Sequence, residues 1–393
     1  MKKLLFCLQT MVLGGVESEL ITILKKFDRS KYKLSLLILY EQDSELMKKI
    51  PSDVEIINLG INKGYYCGGL SELVKQRIRK GQILDSAALV TKRLVGSPTG
   101  ANVNISSIAP LEGEYDYAVC YHMHSPIMLR YVADKVKAKR KIAWIHNDFD
   151  NTGYKVKKYT KWIDKYDTVA AVSIQLLNEF SSLCPKLSHK AMVVNNTVDE
   201  DSIRESSLLT ADMDPRFSKC GTAKILTVGR YVGQKGYDIA VSAAKILRDR
   251  GIEFTWFAIG CGADETKIAE LIVQNEVESN FVMLGKKDNP FPYMAECDLY
   301  VQPSRHEGYP ITMCEAKVLN NVIICTNFAG AKEIVTDGYD GYVDESFTSQ
   351  AVADKIEKLL TDNTLMETMK RNASLQATDS SWEHIEALFS EEI

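Results

Sequence analysis

Short apolar runs, each about the length of one strand, recur along this chain with helix-period segments between them, and the alternation occurs twice. In the first half the runs fall at 3–9, 34–40, 116–120, 141–145, 168–172 and 191–194, with helical periodicity at 15–27 and 173–183. A polar connector near 199–222 follows. The pattern then restarts, with AKILTVGR, EFTWFAIG, NFVMLG, DLYVQP and NVIICT reading as strands and helical stretches at 236–250, 263–276 and 310–320. Runs that are apolar throughout belong to strands covered on both faces, as in parallel sheets. The expectation is an α/β chain of two doubly wound parallel-sheet domains, 1–200 and 201–375, followed by a C-terminal helix at 376–393.

A length of 393 residues agrees with two domains, since a single core seldom grows so large. Ligands of such sheets bind outside the carboxyl ends of the strands, so a site is expected in a cleft between the halves. Charge separates the halves further. Residues 1–190 hold 29 Lys and Arg against 19 Asp and Glu, and the remainder 19 against 33, together giving the net −4 of the chain. A basic half suggests an anionic partner. Residues 62–105 read as a basic amphipathic helix with Lys75, Arg77, Arg79, Lys80, Lys92 and Arg93. That is either a solvated face or a patch for an anionic membrane surface or acceptor.

Other signals are mostly exclusions. The N-terminal MKKLLFCLQTMVLGG carries Gln9 and Thr10 inside its apolar stretch and no small-residue cleavage site follows, so it reads as a buried first strand rather than a secretory leader. No run reaches the roughly 18 apolar residues of a membrane span. The nine cysteines form no CxxC pair, and Cys7, Cys120, Cys297, Cys314 and Cys325 lie in or beside apolar segments, as buried reduced thiols of a cytoplasmic protein would. Near the end, SSWEHIEALFSEEI sets Trp382, Ile385, Leu388 and Phe389 on one side of a helix, for packing.

The densest chemistry is in SRHEGYPITMCEA, residues 304–316. A strand ends just before it, Gly308 lets the backbone come close, and Pro310 suits the first turn of a helix. The N–H groups from Tyr309 through Pro310 and Ile311 to Thr312 would present an anion site, Pro310 itself contributing none. Glu315, a little over one turn in, is placed to accept hydrogen bonds from a ribose diol, and Glu307 to face whatever lies beyond the phosphate. A helix with acidic residues near its start is the plainer reading. Upstream, VGRYVGQKGYD supplies Arg230 and Lys235 at a strand end, a fork and a point charge for a diphosphate or two surface cations. In the first half VLGGVE places Gly14 and Gly15 in a close-approach turn, and WIHND places His146 after a strand.

Taken together, Gly14-Gly15, His146, Arg230, Lys235, the Glu307-x7-Glu315 pair and GAKEIVTDGYDGYV occur in an order that resembles the retaining glycosyltransferases of family four, within glycosyl transferases group 1. The resemblance runs along most of the chain and is specific in the second half. It implies the GT-B architecture, two Rossmann-like domains facing across a cleft, and a catalytic group of Glu307, His146, Arg230 and Lys235. By the same resemblance Arg230, Lys235 and the amides after Gly308 would hold the leaving diphosphate, Glu315 the ribose, and backbone near Lys286 and Lys287 the base. Glu307 would contact the donor sugar, His146 would lie beside sugar and diphosphate, and Gly14 and Gly15 would allow close approach to the phosphates.

The function so implied is transfer of a hexose, with retention, from a nucleotide diphosphate sugar to a lipid-linked or cell-surface glycan acceptor. UDP is the expected base carrier and GDP-mannose the alternative. No cofactor, metal or nucleic acid is expected, and Asp148-Phe-Asp150 is not read as a metal motif. Localisation is expected to be cytoplasmic, peripheral on the inner face of the membrane. Two competing readings are a non-catalytic partner subunit of the same fold, which should have lost some of these ions, and an epimerase, for which no acid/base set is found.

Overall fold

The computed structural model describes residues 1–12, 14–40, 44–59, 105, 108–375 and 381–389. The basic stretch at 62–105 lies outside the described residues but for Ile105. Contacts divide the chain into two compact units. The first comprises Met1–Ala171, Leu177–Val193 and Phe389–Glu391, and the second Val172–Leu176, Val194–Leu388 and Glu392–Ile393.

The first unit is built on a seven-stranded parallel sheet. Its strands are β1 (Lys2–Leu8), β2 (Tyr32–Ile38), β3 (Glu55–Asn58), β4 (Tyr115–Cys120), β5 (Ala138–Ile145), β6 (Thr168–Ala171) and β7 (Ala191–Val193). They lie in the order β3-β2-β1-β4-β5-β6-β7. β1, with Leu4 to Cys7 fully buried, pairs with β2 on one side and β4 on the other, so the predicted first strand is central. β3 has no counterpart among the apolar runs of the sequence. Its four residues, EIIN, sit at the sheet edge and are mostly exposed, too short and too polar to stand out from a turn. Phe389 packs within this unit, 5.3 Å from the rings of both Phe27 and Tyr117. The helix preceding it, Ser381–Ala387, groups with the second unit.

The second unit carries β8 (Ala223–Val228), β9 (Phe254–Ile259), β10 (Phe281–Gly285), β11 (Leu299–Gln302), β12 (Ile323–Thr326) and β13 (Gly341–Asp344), all parallel, in the order β10-β9-β8-β11-β12-β13. Successive strand residues feed opposite faces, as a period of two requires. Ile225, Trp256, Val301 and Ile324 enter one buried cluster while Leu226, Phe257, Tyr300 and Ile323 enter another. Both faces are therefore dry, which is why these strands read as continuous apolar runs. The helices Tyr237–Asp249, Glu265–Gln274 and Ser349–Thr361 cover the first face, and Phe291–Glu296 and Ile311–Val318 the second. The polar connector near 199–222 holds two short helices, Glu200–Ser207 and Pro215–Ser218, each started by an aspartate whose side chain accepts from the first turn.

In each sheet the winding direction reverses once, between β1 and β4 in the first unit and between β8 and β11 in the second. At such a reversal neighbouring strands send their connections to opposite faces, leaving a crevice at their carboxyl ends. The loops that follow β8 and β11 carry the ionic residues singled out in the sequence.

Candidate functional site at the carboxyl ends of β8 and β11

The loop after β8 runs Gly229–Gly236 and starts the helix Tyr237–Asp249. Gly236 has φ of +68°, and a Cβ there would lie 1.9 Å from the carbonyl oxygen of Pro303. Only glycine lets this loop lie against the end of β11. Arg305 ties the two loops together. Its backbone N–H donates to the Gln234 carbonyl at 2.8 Å, while its guanidinium donates to the Gly233 carbonyl at 2.7 Å and makes a two-point pair with Asp238.

This clamp sets Lys235 and Glu307 side by side. Lys235 Nζ donates to Glu307 Oε1 at 2.6 Å, and both side chains are buried. The same Oε1 accepts from Ser304 Oγ at 2.8 Å. Ser304 in turn accepts from Gln302 Nε2 at 2.7 Å, and Gln302 Oε1 accepts from the Tyr300 hydroxyl at 3.0 Å and more weakly from Thr312 Oγ1 at 3.5 Å. Glu307 Oε2 is left with one long contact, 3.5 Å from Gln234 Nε2. Lys235 is thus not a loose cation waiting for an anion; its charge is already shared with Glu307.

Arg230 differs in this respect. It is exposed, and its guanidinium meets no acceptor among the described residues. A further open anion site lies at the helix Ile311–Val318. Pro310 is its N-cap rather than its first helical residue, and no side chain caps the helix. The N–H groups of Gly308, Ile311 and Thr312 carry no partner among the described residues, whereas Met313 and Cys314 already bond back to Pro310. The Tyr309 carbonyl is held by Asn196 Nδ2 at 2.7 Å. Gly330, at φ of +77°, lies so close to Gly308 that a Cβ would come within 2.8 Å of its carbonyl oxygen.

Glu315 stands one turn into that helix with no hydrogen-bond or ionic partner for its side chain among the described residues. Burial pushes its carboxyl up to about 8. Lys286 and Lys287 follow β10, and their side chains pair with Asp288 at 3.1 Å and Asp214 at 3.7 Å. Neither of these ion pairs includes Lys235 or Glu307.

The first unit presents different chemistry at its strand ends. Gly14 caps the helix Gly15–Lys26 without a side-chain hydrogen bond. A Cβ at Gly14 would meet only the tip of the Glu17 side chain, so steric room does not by itself demand glycine. His146, after β5, is buried with Nδ1 3.8 Å from Glu19 Oε2. Desolvation holds its imidazole well below the usual range, so the ring is neutral. Two further histidines, absent from the residues singled out in the sequence, stand beside it at the end of β4. His122 lies 6.2 Å from His146 and 5.8 Å from His124 between ring centres. Burial lowers His122 to about 4 and His124 to about 3. The signal that could have found them is YHMH directly after an apolar run.

Asp148 acts locally. Its carboxylate accepts from the Asn151 N–H at 2.6 Å and caps the helix Phe149–Thr152. Among the described residues no group of three or more His, Cys, Asp or Glu side chains has the arrangement of a metal site. Of the cysteines read as buried, Cys7, Cys120, Cys297 and Cys325 are so, and Cys314 is half-buried on its helix.

Against known proteins, residues 212–376 match the model of the glycosyl transferases group 1 family. An uncharacterized glycosyltransferase of Methanocaldococcus jannaschii is 30% identical over 227 residues, 57% of this chain and 59% of its own length. The capsular polysaccharide biosynthesis glycosyltransferase CapM of Staphylococcus aureus is 29% identical over 171 residues, 41% of this chain and 44% of its own length. The chain thus spans about half the length of these relatives. Anabaena Alr3699/HepE, solved in complex with UDP and glucose, shares the fold over 100% of both chains with a TM-score of 0.72 at 17% identity. The two parallel-sheet, Rossmann-like units have the GT-B fold, and residues 212–376 of the second unit are similar to the glycosyl transferases group 1 family.

Proposed function

We propose that this chain is a retaining, metal-independent hexosyltransferase that moves a sugar from a UDP-sugar to a lipid-linked or cell-surface glycan acceptor. The observation that carries the reading is the grouping at the ends of β8 and β11. Among the described residues a guanidinium without an acceptor, a helix start without a side-chain cap and the Glu315 carboxyl without a partner belong to the same strand-end loops and following helix as the Lys235–Glu307 pair. Phosphate suits the first two, a ribose diol the third, and sugar hydroxyls the open oxygen of Glu307. The UDP held by Alr3699/HepE supports the choice of base, and the capsular role of CapM supports a glycan acceptor.

In this mechanism the bond from the sugar's anomeric carbon to the diphosphate oxygen breaks as the acceptor hydroxyl adds on the same face. The departing phosphate oxygen takes the hydroxyl proton. Arg230, Lys235 and the amides of Gly308, Ile311 and Thr312 stabilise the growing dianion, and positioned charge of this kind is usually the largest contribution to catalysis. No enzyme nucleophile is needed, and Glu307, with one oxygen committed to Lys235 and Ser304, serves as a sugar acceptor group.

The test is a thermal shift with UDP-, GDP-, dTDP- and ADP-sugars, without metal, on the wild type and on Glu315→Ala. A ligand at a hundred times its dissociation constant adds roughly 2.7 kcal/mol to stability. A shift with the UDP class that disappears in the variant supports the reading. A shift with GDP-mannose alone moves it to a mannosyltransferase, and no shift with any donor favours a non-catalytic partner subunit. The proposed acceptor sits at a membrane, contacted by the basic sequence 62–105. Liposome flotation without preference for anionic lipid removes that part.

A further inference from the structure

We infer that Gln302 and Ser304 are positioning residues that orient Glu307 toward the donor sugar, so that selectivity for the sugar depends on two side chains that never touch it. The inference rests on the donor site proposed above. Strand β11 is otherwise apolar, LYV, and both of its faces are dry. A fully buried glutamine at its end costs stability unless every polar atom is satisfied. Here both its amide oxygen and its amide nitrogen are engaged, and the neighbours fix which of the two faces Ser304.

Ser304 Oγ has one proton. It lies 2.8 Å from a Glu307 oxygen that can only accept, so the proton goes there. Ser304 Oγ must then accept from its other neighbour, which makes the group 2.7 Å away the amide nitrogen of Gln302. The remaining amide oxygen faces the hydroxyls of Tyr300 and Thr312, both of which can donate. From Gln302 through Ser304 to Glu307 the chain therefore has a single direction and ends on a carboxylate, while the Tyr300 hydroxyl at its start also lies 3.4 Å from the Val228 carbonyl oxygen. Charge-assisted bonds at the end of such a chain are stronger than neutral ones.

The consequence lies in the two oxygens of Glu307. Oε1 is saturated by Lys235 and Ser304. Oε2, with only the long contact to Gln234, is held pointing away from them. A salt bridge to Lys235 alone would let the carboxylate pivot about one bond. The serine hydroxyl removes that freedom and fixes where the open lone pairs lie. A sugar hydroxyl on the correct ring face can then be told from its epimer. Thr312, on the helix whose amides are offered to phosphate, ends the same chain, so both ends of the donor bear on one network.

Ser304→Ala and Gln302→Met test this by titration calorimetry with UDP, UDP-glucose and UDP-galactose, which needs no acceptor. The quantity read is the affinity for each UDP-sugar relative to UDP, since this ratio isolates the sugar contacts. The expected result is UDP affinity within about twofold of wild type, with a roughly tenfold collapse of the preferred sugar's ratio and of the discrimination between epimers. Ser304→Cys, which keeps a weaker donor, recovers part of the ratio. A merely structural role would lower UDP and UDP-sugar affinity together, and that outcome overturns the inference. So does a ratio unchanged in Ser304→Ala. Wild-type protein that binds none of the three ligands overturns the donor site itself, and the inference with it.

Discussion

The two sheets of this molecule share a winding pattern and differ in what they place at the reversal. At the ends of β4 and β5 stand His122, His124 and His146, all kept neutral by burial. At the ends of β8 and β11 stand full charges, one pair already closed between Lys235 and Glu307 and one guanidinium left open at Arg230. A neutral imidazole both donates and accepts, which suits hydroxyl-rich, uncharged groups. Fixed cations and amides suit phosphate. Sheets of one winding pattern thus carry neutral rings at one set of strand ends and fixed charges at the other.

The sharpest way to break this contrast is to unpair the buried ions. Lys235→Met leaves Glu307 buried without its partner, and the expected cost is about 3–5 kcal/mol, read as a lower urea midpoint. A double variant that also carries Glu307→Leu should recover most of the loss. Equal destabilisation of the single and double variants would mean that the pair is not the source.

The first unit is expected to be the acid-sensitive one. His146 binds its proton more weakly folded than unfolded, so the unfolded chain gains protons as pH falls below the ordinary histidine value near 6.5. Stability present at pH 7 is therefore lost on acidification, on the order of 2 kcal/mol by about pH 5 for this residue. His146→Gln should make the pH dependence of the melting temperature shallower across that window without abolishing it, because His122 and His124 are lowered as well. A slope equal to wild type would show the ring to be titrating normally.

Arg230→Ala should separate binding from folding. An exposed group without partners contributes little to folding, so stability should change by less than about 0.5 kcal/mol. UDP affinity should fall roughly tenfold or more if the guanidinium holds phosphate. An unchanged dissociation constant would return Arg230 to the ordinary surface cations.

Glu315 acts with a sign opposite to that of His146, and between pH 7 and 8 alone its contribution changes by on the order of 1 kcal/mol. Its carboxyl, pushed up from 4.5 to about 8, makes the folded state hold the proton more tightly, so stability falls as pH rises from about 4.5 through 8. Glu315→Gln should melt higher than wild type at about pH 8, by roughly 2–4 °C for each kcal/mol of relieved desolvation, and bind UDP more weakly. UDP bound by wild type should tighten as pH rises toward 8, because a diol prefers the ionised carboxylate. A variant that gains stability and keeps its UDP affinity would remove Glu315 from the site.

These tests bear on residues that are unequally readable. Arg230, Lys235, Glu307 and Glu315 lie in short stretches where strand, turn and helix start follow one another, so their approximate places are visible. The pairing of Lys235 with Glu307 is not, because the two are 72 positions apart and meet only when β8 and β11 lie side by side. Gln302 looks like a polar interruption at a strand end. Its meaning depends on Tyr300, Ser304 and Thr312 converging on it from a strand, a loop and a helix. Asp148 carries an ambiguous local signal that resolves to a helix cap. His122 and His124 follow an apolar run as His146 does, but their spacing matches no ligand or catalytic pattern, and only the fold brings the three rings together.

What the amino-acid order determined by itself was local and periodic. Continuous apolar runs made strands covered on both faces, helix-period segments made their crossovers, and Gly236 and Gly308 marked turns where backbones approach. β3 and β13 escaped because EIIN and GYVD carry polar residues or glycine at their ends and so do not read as continuous apolar runs. Tertiary structure alone decided which strands became neighbours, and hence which loops share a crevice. It also set every protonation state that matters, since desolvation depends on what the rest of the chain packs around a group. Glu315 and His146 are ordinary letters in the sequence; their altered proton affinities come from burial in the folded protein.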